Sequence, residues 1–343
     1  MLHLILMDQI RIATAQFEAR DGDKAYNLAR IEALSRQALS QQAGLVLFHE
    51  LCITGYTWLE RLSRAEIAAI AEPWPNGPSI GRLVEIARQT GLWISAGFVE
   101  SLDGRLYNAQ AVVSPEGPVT RHHKLHEFVS DEFDCGDGYT TFQALGWTFG
   151  ILTCYDNNLP ENARMNAMLG ADVILMPHVT GCLPSPAPGR GTVDRALWEN
   201  RHLDPVRCRM EFDSPKGRGW LMKWLPARAW ENGVYAVFSN ALGNDGGTIK
   251  PGLSLIADPY GEVIAECRTL DDEVVTAPAI RSAREYASGA SYIRARRPEL
   301  YSKFLEPNPH TETNKRPDVS WKRAAREAAL TSARSGPASE SSK

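Results

Sequence analysis

Three short, largely apolar runs constrain this chain more than any other feature: residues 44–48, 149–153 and 172–176. Each is rich in β-branched and large aliphatic residues, is bounded by turn signals, and is far below the roughly eighteen apolar residues of a membrane span, so each predicts a buried strand. The residues just after each run matter as much. The first ends in His49 and Glu50, the second delivers Cys154, and the third runs into Pro177 and His178. Side chains at the C-terminal ends of strands stand where α/β folds place their sites.

Around these runs the pattern alternates. Residues 9–17 predict a first strand, 21–23 a turn and cap, and Leu28, Ile31, Leu34, Ala38 and Leu39 recur at helical spacing. Helices are expected over 65–71 and 79–89, with Gly91 as a C-cap before a strand at 92–99. Strands at 106–113 and 119–123 meet through the turn 114–117, and Lys124 comes directly after them. Pro160 suits the first turn of a helix over 161–169 that Gly170 caps. A helix over 221–232 and a strand at 234–239 precede late strands at 253–258, 262–266 and 273–278, grouped around the turn 259–261. Early strand-helix units with strand pairs in the middle and at the end predict a mixed sheet sandwich with helices outside.

Residues 181–219 break this rhythm. They are rich in Pro, Gly and Arg without a clear period, and predict a functional loop or lid. Residues 8–304 are therefore expected to form one domain with 181–219 as an insertion. Residues 305–343 form a C-terminal extension, helical over 320–334 and disordered over 335–343.

Composition excludes several partner classes. A formal net charge of −4 gives no global attraction to nucleic acid or an anionic membrane, which favours a small molecule or another protein. The N-terminal MLHLILMDQI has no basic n-region and no small-residue cleavage site, so it is not read as a secretory signal. Six scattered cysteines without CxxC or Cys/His pairing favour reduced thiols, a cytoplasmic setting and no structural metal.

Glu50, Lys124 and Cys154 are the residues whose chemistry fits together. A strand-to-helix corner exposes the side chain that leads it and offers free backbone N–H groups beside it, as a nucleophile attacking a carbonyl requires. The blocks around the three, FHELCITGY, RHHKLHEF and GILTCYDNNLPE, resemble the base, lysine and nucleophile motifs of the nitrilase superfamily of carbon–nitrogen hydrolases. The resemblance runs from about Ile10 to about Ile280 and includes the closing pattern DPYGEVIAEC and DDEVVTAPAI. It implies a four-layer α-β-β-α sandwich, commonly a homodimer or higher homo-oligomer whose C-terminal segment crosses onto its partner; the Arg-rich stretch 290–304 is a candidate for that role.

The same resemblance implies roles. Glu50 would be the general base, Lys124 and the Tyr155 backbone N–H the oxyanion donors, and Cys154 the nucleophile, with no cofactor. The family's second glutamate is matched to Glu132, eight positions beyond Lys124 and just before the turn 136–138; Glu127 lies nearer but fits the motif less well. Tyr56, Trp58 and His178 are candidates for lining the substrate pocket. A Cys-His mechanism through His49 or His178 is the nearest rival, and neither lies in a supporting motif.

Nitrile-cleaving members of the superfamily tend to carry CWE at the nucleophile, amidases and carbamoylases C-x-D. Cys154-Tyr155-Asp156 therefore favours a small amide or N-carbamoyl substrate over a nitrile. N-carbamoyl-D-amino-acid hydrolases place an arginine pair after that Asp, whereas Asn157 and Asn158 stand here, leaving Arg190, Arg195 and Arg201 as alternative carboxylate ligands. A non-catalytic binding protein keeping the fold is the reading from another class.

Overall fold

The computed structural model describes residues 8–305. Its strands are β1 (Gln9–Gln16), β2 (Leu45–Leu47), β3 (Trp93–Leu102), β4 (Arg105–Ser114), β5 (Gly117–His123), β6 (Thr140–Ala144), β7 (Trp147–Ile151), β8 (Val173–His178), β9 (Tyr235–Asn240), β10 (Leu242–Asp245), β11 (Thr248–Pro251), β12 (Leu255–Ala257), β13 (Val263–Glu266) and β14 (Glu273–Ile280). The helices are α1 (Lys24–Ser40), α2 (Arg64–Ile70), α3 (Pro78–Thr90), α4 (Pro160–Met168), α5 (Arg195–Glu199), α6 (Pro205–Asp213), α7 (Arg218–Leu221), α8 (Leu225–Trp230), α9 (Arg281–Tyr286), α10 (Ser288–Arg294) and α11 (Pro298–Tyr301).

Two six-stranded sheets, ordered β14-β1-β2-β3-β4-β5 and β13-β12-β9-β8-β7-β6, stack face to face. The runs are largely apolar because both of their faces are buried. In β8, Val173 and Leu175 point between the sheets while Ile174 and Met176 point to the outer helices, and Tyr235/Val237 against Ala236/Phe238 divide the same way in β9. Leu45 and Leu47 of β2 join the inter-sheet layer, and Val46 packs outward with Ile31 and Leu34 of α1 and Leu83 of α3. Three apolar layers separated by two sheets make the expected α-β-β-α sandwich. Thr14 Oγ1 donates to Phe238 O at 2.8 Å and Ser239 Oγ to Ala15 O at 2.7 Å, fixing one sheet on the other.

Caps set the helix limits. Asp23 accepts from the Tyr26 N–H at the start of α1, and Gly91 ends α3 in the left-handed region at φ +72°, where a side chain would be strained. The expected helix over 221–232 is instead two short helices, α7 and α8. Pro226 has no N–H to continue a helix through it and stands in the first turn of α8. Strand β6 and the hairpin β10–β11 were not expected; the hairpin's polar GNDGGTIK hides it from an apolar pattern.

Residues 181–219, expected as a loop, hold α5, α6 and the start of α7. Asp194 and Asp204 cap the first two, Pro205 opens the second, and Cys182, Val193, Trp198, Cys208 and Phe212 bury an apolar cluster against Leu242, Ile249 and Leu270. The expectations for 306–343, a helix over 320–334 and disorder over 335–343, lie outside the described residues. No helix among the described residues is long and apolar enough to cross a membrane.

Candidate active site

Strands β1, β2 and β3 run parallel, as do β7, β8 and β9, so their C-terminal ends gather at one edge of each sheet. Glu50 lies three residues beyond β2 and Lys124 directly after β5, both in the first sheet. Cys154 lies three residues beyond β7 in the second. Stacking the sheets brings them together.

Lys124 Nζ donates to Glu50 Oε1 at 2.6 Å, and both residues are fully buried. Asn108 Nδ2, from β4, donates to the same oxygen at 2.7 Å. Glu50 Oε2 is buried and has no hydrogen-bond partner among the described residues, so one oxygen is held and the other is open. Asn108 was not singled out in the sequence, because a mid-strand Asn carries no local signal. Nor was Gly97 of β3: a Cβ there would lie 2.1 Å from Leu51 N and 2.9 Å from Glu50 C, so only glycine lets the Glu50 bend lie against the strand.

Cys154 opens a 3₁₀ turn, Cys154–Asn158, with φ +50°, a conformation uncommon for a residue with a Cβ. Its surroundings enforce it. Asp156 is fully buried and accepts from the backbone N–H of Thr153 at 3.2 Å, of Leu125 at 3.1 Å and of His126 at 2.9 Å, so one carboxylate bolts the Cys154 turn to the segment after Lys124. Asn157 Nδ2 donates to Leu152 O at 2.7 Å and lies 3.3 Å from Cys154 O, which commits this buried residue to the backbone. Arg228 Nε and Nη2 hold Asn157 O and Asn158 O from below, each at 2.9 Å.

The electrostatics reflect the burial. Burial and the Glu50 charge push the Cys154 thiol up to about 12, against the Lys124 charge and a hydrogen bond from the Val179 backbone, so it is a thiol at neutral pH and needs a base. For Lys124, burial alone would lower the ammonium, but Glu50, Cys154 and Glu127 outweigh it and hold it above lysine's ordinary value. Burial opposes the Asp156 charge, yet the His122 and His126 rings hold its pKa down at about 2.

The carboxylate that the structure buries near Lys124 is that of Glu127, while Glu132, the one matched by spacing, lies farther out. Glu127 is 1% exposed and bears electrostatically on Lys124 and Tyr56. Glu132 sits half-buried on the outer bend of the same loop, where its carbonyl accepts from Arg64 and its N–H reaches Ser130 Oγ. Spacing alone does not show which of the two is buried, because the chain doubles back. Gly136 N–H returns to Lys124 O at 2.7 Å, and that closed path decides which side chain points inward.

Of the three expected pocket residues, Tyr56 faces the site: its ring centroid is 5.6 Å from Lys124 Nζ and its buried hydroxyl has no hydrogen-bond partner among the described residues. Trp58 instead braces the loop, its indole N–H donating to Thr54 O at 2.9 Å and its ring meeting the Gly22 and Gly55 turns. His178 is a support too, its Nε2 3.0 Å from Asn157 Nδ2 and its ring packed on Trp224 and Phe238. Burial lowers His178 well below the ordinary histidine range. His49 contacts the Glu50 carbonyl and Phe17. These contacts give neither histidine the role of base to Cys154. Arg195 pairs with Glu199, and Arg201 lies over Trp198 and donates to Leu270 O. Among the described residues no cluster of His, Cys, Asp and Glu is arranged to hold a metal ion. A separate cavity of 740 Å³, lined by Val206, Met210 and Leu270, contains none of the residues around Cys154.

Comparison with known proteins agrees with this geometry. The carbon–nitrogen hydrolase family profile matches residues 11–286. The chain is 32% identical to an (R)-stereoselective amidase of a Pseudomonas species over 75% of this chain and 80% of that one. It is 31% identical to a nitrilase of Pyrococcus abyssi over 77% and 87%. Among solved structures, a glutamate-to-glutamine mutant of a Nesterenkonia amidase, carrying the acetamide moiety of fluoroacetamide on its active-site cysteine, superposes with a TM-score of 0.64 at 22% identity, covering 86% of this chain and 97% of that one. The chain therefore belongs to the carbon–nitrogen hydrolase family of enzymes.

Proposed function

We propose that the chain hydrolyses a non-peptide C–N bond in a small amide or N-carbamoyl compound through a thioester on Cys154, without a cofactor. The observation that carries this is the buried Lys124–Glu50 contact of 2.6 Å beside the Cys154 turn, with the second carboxylate oxygen left open. Cys154 Sγ attacks the carbonyl carbon while Glu50 Oε2 takes the thiol proton. The charge that builds on the carbonyl oxygen is met by Lys124 Nζ and by the Tyr155 N–H, one of the first donors of the 3₁₀ turn and so without an acceptor inside it. Protonated Glu50 passes its proton to the leaving nitrogen, the C–N bond breaks, and the thioester remains. Glu50 then deprotonates the water that attacks the thioester, and the proton returns to the departing thiolate. Glu127 keeps Lys124 charged, and Tyr56 borders the space the acyl group fills.

The Cys154-x-Asp156 pattern favours amide or carbamoyl cleavage over nitrile hydrolysis, although a nitrilase stands among the relatives. Asp156 itself has no part in that choice by contact, because its carboxylate is spent on backbone N–H groups. The exposed apolar residues near the C-terminal end of the described chain, Tyr286, Leu300, Phe304 and Leu305, support a homo-oligomer formed through this region.

The test is ammonia release from a panel of primary amides, N-carbamoyl amines, N-carbamoyl amino acids and nitriles, with Cys154→Ala as control. Release that vanishes in the variant is expected. Release that survives it would remove the nucleophile assignment, and silence across the panel would favour a binding protein.

A further inference from the structure

The 3₁₀ helix Thr57–Arg61, which follows the Glu50 bend, begins without a cap of its own. Tyr56 stands at its N-cap position and makes no side-chain capping bond, so the first N–H groups need an acceptor from elsewhere. Asp245, 188 residues on, supplies it: Oδ1 accepts from the Thr57 N–H at 2.9 Å and Oδ2 from the Thr57 hydroxyl at 2.5 Å. A carboxylate at the N-terminal end of a helix is also favoured by the partial charge there. Tyr56 thus has no capping bond to make, and its ring lies with its centroid 5.6 Å from Lys124 Nζ.

Asp245 stands at the tip of hairpin β10–β11, which belongs to neither six-stranded sheet. Gly246 and Gly247 both have positive φ, as the tight two-residue connection to Thr248 requires. A Cβ at Gly246 would lie 2.7 Å from Thr57 Cβ, and Arg61 Nη2 donates to Gly246 O at 2.7 Å, so the tip meets the short helix at its first residue and its last. Lys250 of β11 pairs with the Asp245 carboxylate at 3.8 Å. The base of the hairpin is anchored separately. Leu242 and Ile249 enter the apolar cluster with Trp198, Cys208 and Phe212 of the 181–219 segment, and Ala241, just before β10, packs in the same cluster as Tyr56 and Val179.

Glu50 does not depend on this contact. Its carboxylate is fixed by Lys124 and Asn108, and the bend after it by the Ile53 N–H donating to Gly97 O at 3.1 Å. Tyr56 has no polar hold among the described residues, so its ring is placed by apolar packing and by the backbone on either side of it. On the N-terminal side, the Gly22 N–H and the Trp58 indole N–H donate to Thr54 O at 2.8 Å and 2.9 Å. On the C-terminal side the hold is Asp245.

We propose that Asp245 is a positioning residue for substrate selection: by capping the helix after Tyr56 from the hairpin, it fixes the tyrosine ring beside the space the acyl group fills and so sets which acyl groups fit. It acts through Tyr56 and not on the proton transfers of Glu50. The inference rests on Cys154 being the nucleophile of an amide hydrolase whose acyl group meets Tyr56, and one arm of its test needs no turnover.

Thr57→Val removes the hydroxyl donor with little change of shape and leaves the Asp245–Lys250 pair in place, whereas Thr57→Ser keeps both donors. Across linear primary amides of increasing acyl length, Thr57→Val is expected to raise KM for the preferred amide by about 10-fold with kcat within about threefold of wild type. It should also narrow the preference over neighbouring lengths, and Thr57→Ser should restore both. In the Tyr56→Ala protein the same Thr57→Val change is expected to move KM by less than about twofold, because the group it acts through is gone. A fall in kcat with KM unchanged, or the same factor on KM with and without the Tyr56 ring, overturns the proposal. Should Tyr56→Ala fail to show a folding transition, the split between KM and kcat and the Thr57→Ser rescue decide alone. Hydrogen exchange reads the cap without substrate: residues 57–61 are expected to exchange faster in Thr57→Val than in wild type, and unchanged exchange overturns the cap. The two readings fail separately. Faster exchange with no turnover of any amide by the unmutated chain would keep Asp245 as the cap beside Tyr56 and remove the hydrolase; turnover with wild-type KM in Thr57→Val would do the reverse.

Discussion

Glu50 divides its two oxygens between structure and chemistry. Lys124 and Asn108 share Oε1, and Oε2 has no partner among the described residues, which suits it to the proposed role of base. Glu50→Gln keeps the shape and removes the base, so turnover is expected to fall by about 10² to 10⁴ with the fold retained. The same change should alter the nucleophile's titration. Burial and the Glu50 charge together hold the thiol high, so removing that charge lowers it, and the pH at which iodoacetamide alkylates Cys154 should move down. Unchanged turnover would end the assignment of Glu50 as base, and an upward alkylation profile would contradict the electrostatic account. Lys124→Ala is expected to cost about 10² to 10³ in rate, the usual loss for one oxyanion donor. These three residues were legible because each stands just past a strand end. The burial of Glu127 near Lys124 was not: which of Glu127 and Glu132 turns inward depends on the path of a loop that returns Gly136 to Lys124, which no local spacing encodes.

Between elements, the site depends on two contacts that carry no charge into the reaction. One is the approach of the Glu50 bend to β3 at Gly97. Gly97→Ala places a methyl group 2.1 Å from Leu51 N, so the bend must move, at a cost of about 1–3 kcal/mol in stability. Turnover should fall more than this stability loss explains, as read from kcat at a temperature where the variant is folded. Wild-type kcat in a folded variant would mean that the bend relaxes without displacing Glu50. The other contact is Asp156, which joins the loop after β5 to the turn after β7. Its pKa is held at about 2, below the ordinary 3.8, so the unfolded chain takes up the proton first as pH falls. Its contribution, roughly 2 kcal/mol, is full above the unfolded value and is lost as pH falls through the folded one. Chemical denaturation of wild type and Asp156→Asn between pH 5 and pH 2, a range of about three units around these values, should show the variant less stable at the upper end and the gap narrowing toward the lower. A gap independent of pH would show that the charge of Asp156 contributes nothing to holding the two loops together. In the sequence Asp156 was visible only as part of a C-x-D pattern, and its partners Leu125 and His126 lie 31 and 30 residues away.

At the scale of the molecule, the layers were legible because each one leaves a periodic trace. Largely apolar runs mark strands buried on both faces, and Ile31, Leu34 and Ala38 mark the helix that covers one of them. What escaped was held by polar or non-local contacts, as in the hairpin β10–β11, or by short capped helices such as α5 and α6 whose apolar residues face a private cluster. One consequence of the sandwich can be tested with two cavities of the same size. Leu175 lies between the sheets and Leu34 between the first sheet and α1, both fully buried. Leu→Ala at either should cost about 2–5 kcal/mol. Their effects on turnover should differ. Cys154 rides on one sheet and Glu50 with Lys124 on the other, so the inter-sheet layer, unlike the layer beneath α1, bears on the distance between the proposed nucleophile and base. Well below both unfolding transitions, Leu175→Ala is therefore expected to lower kcat, and Leu34→Ala to leave it close to wild type. Equal losses in the two variants would mean that the Asp156 bolt, and not the packing between the sheets, holds the halves of the site in register.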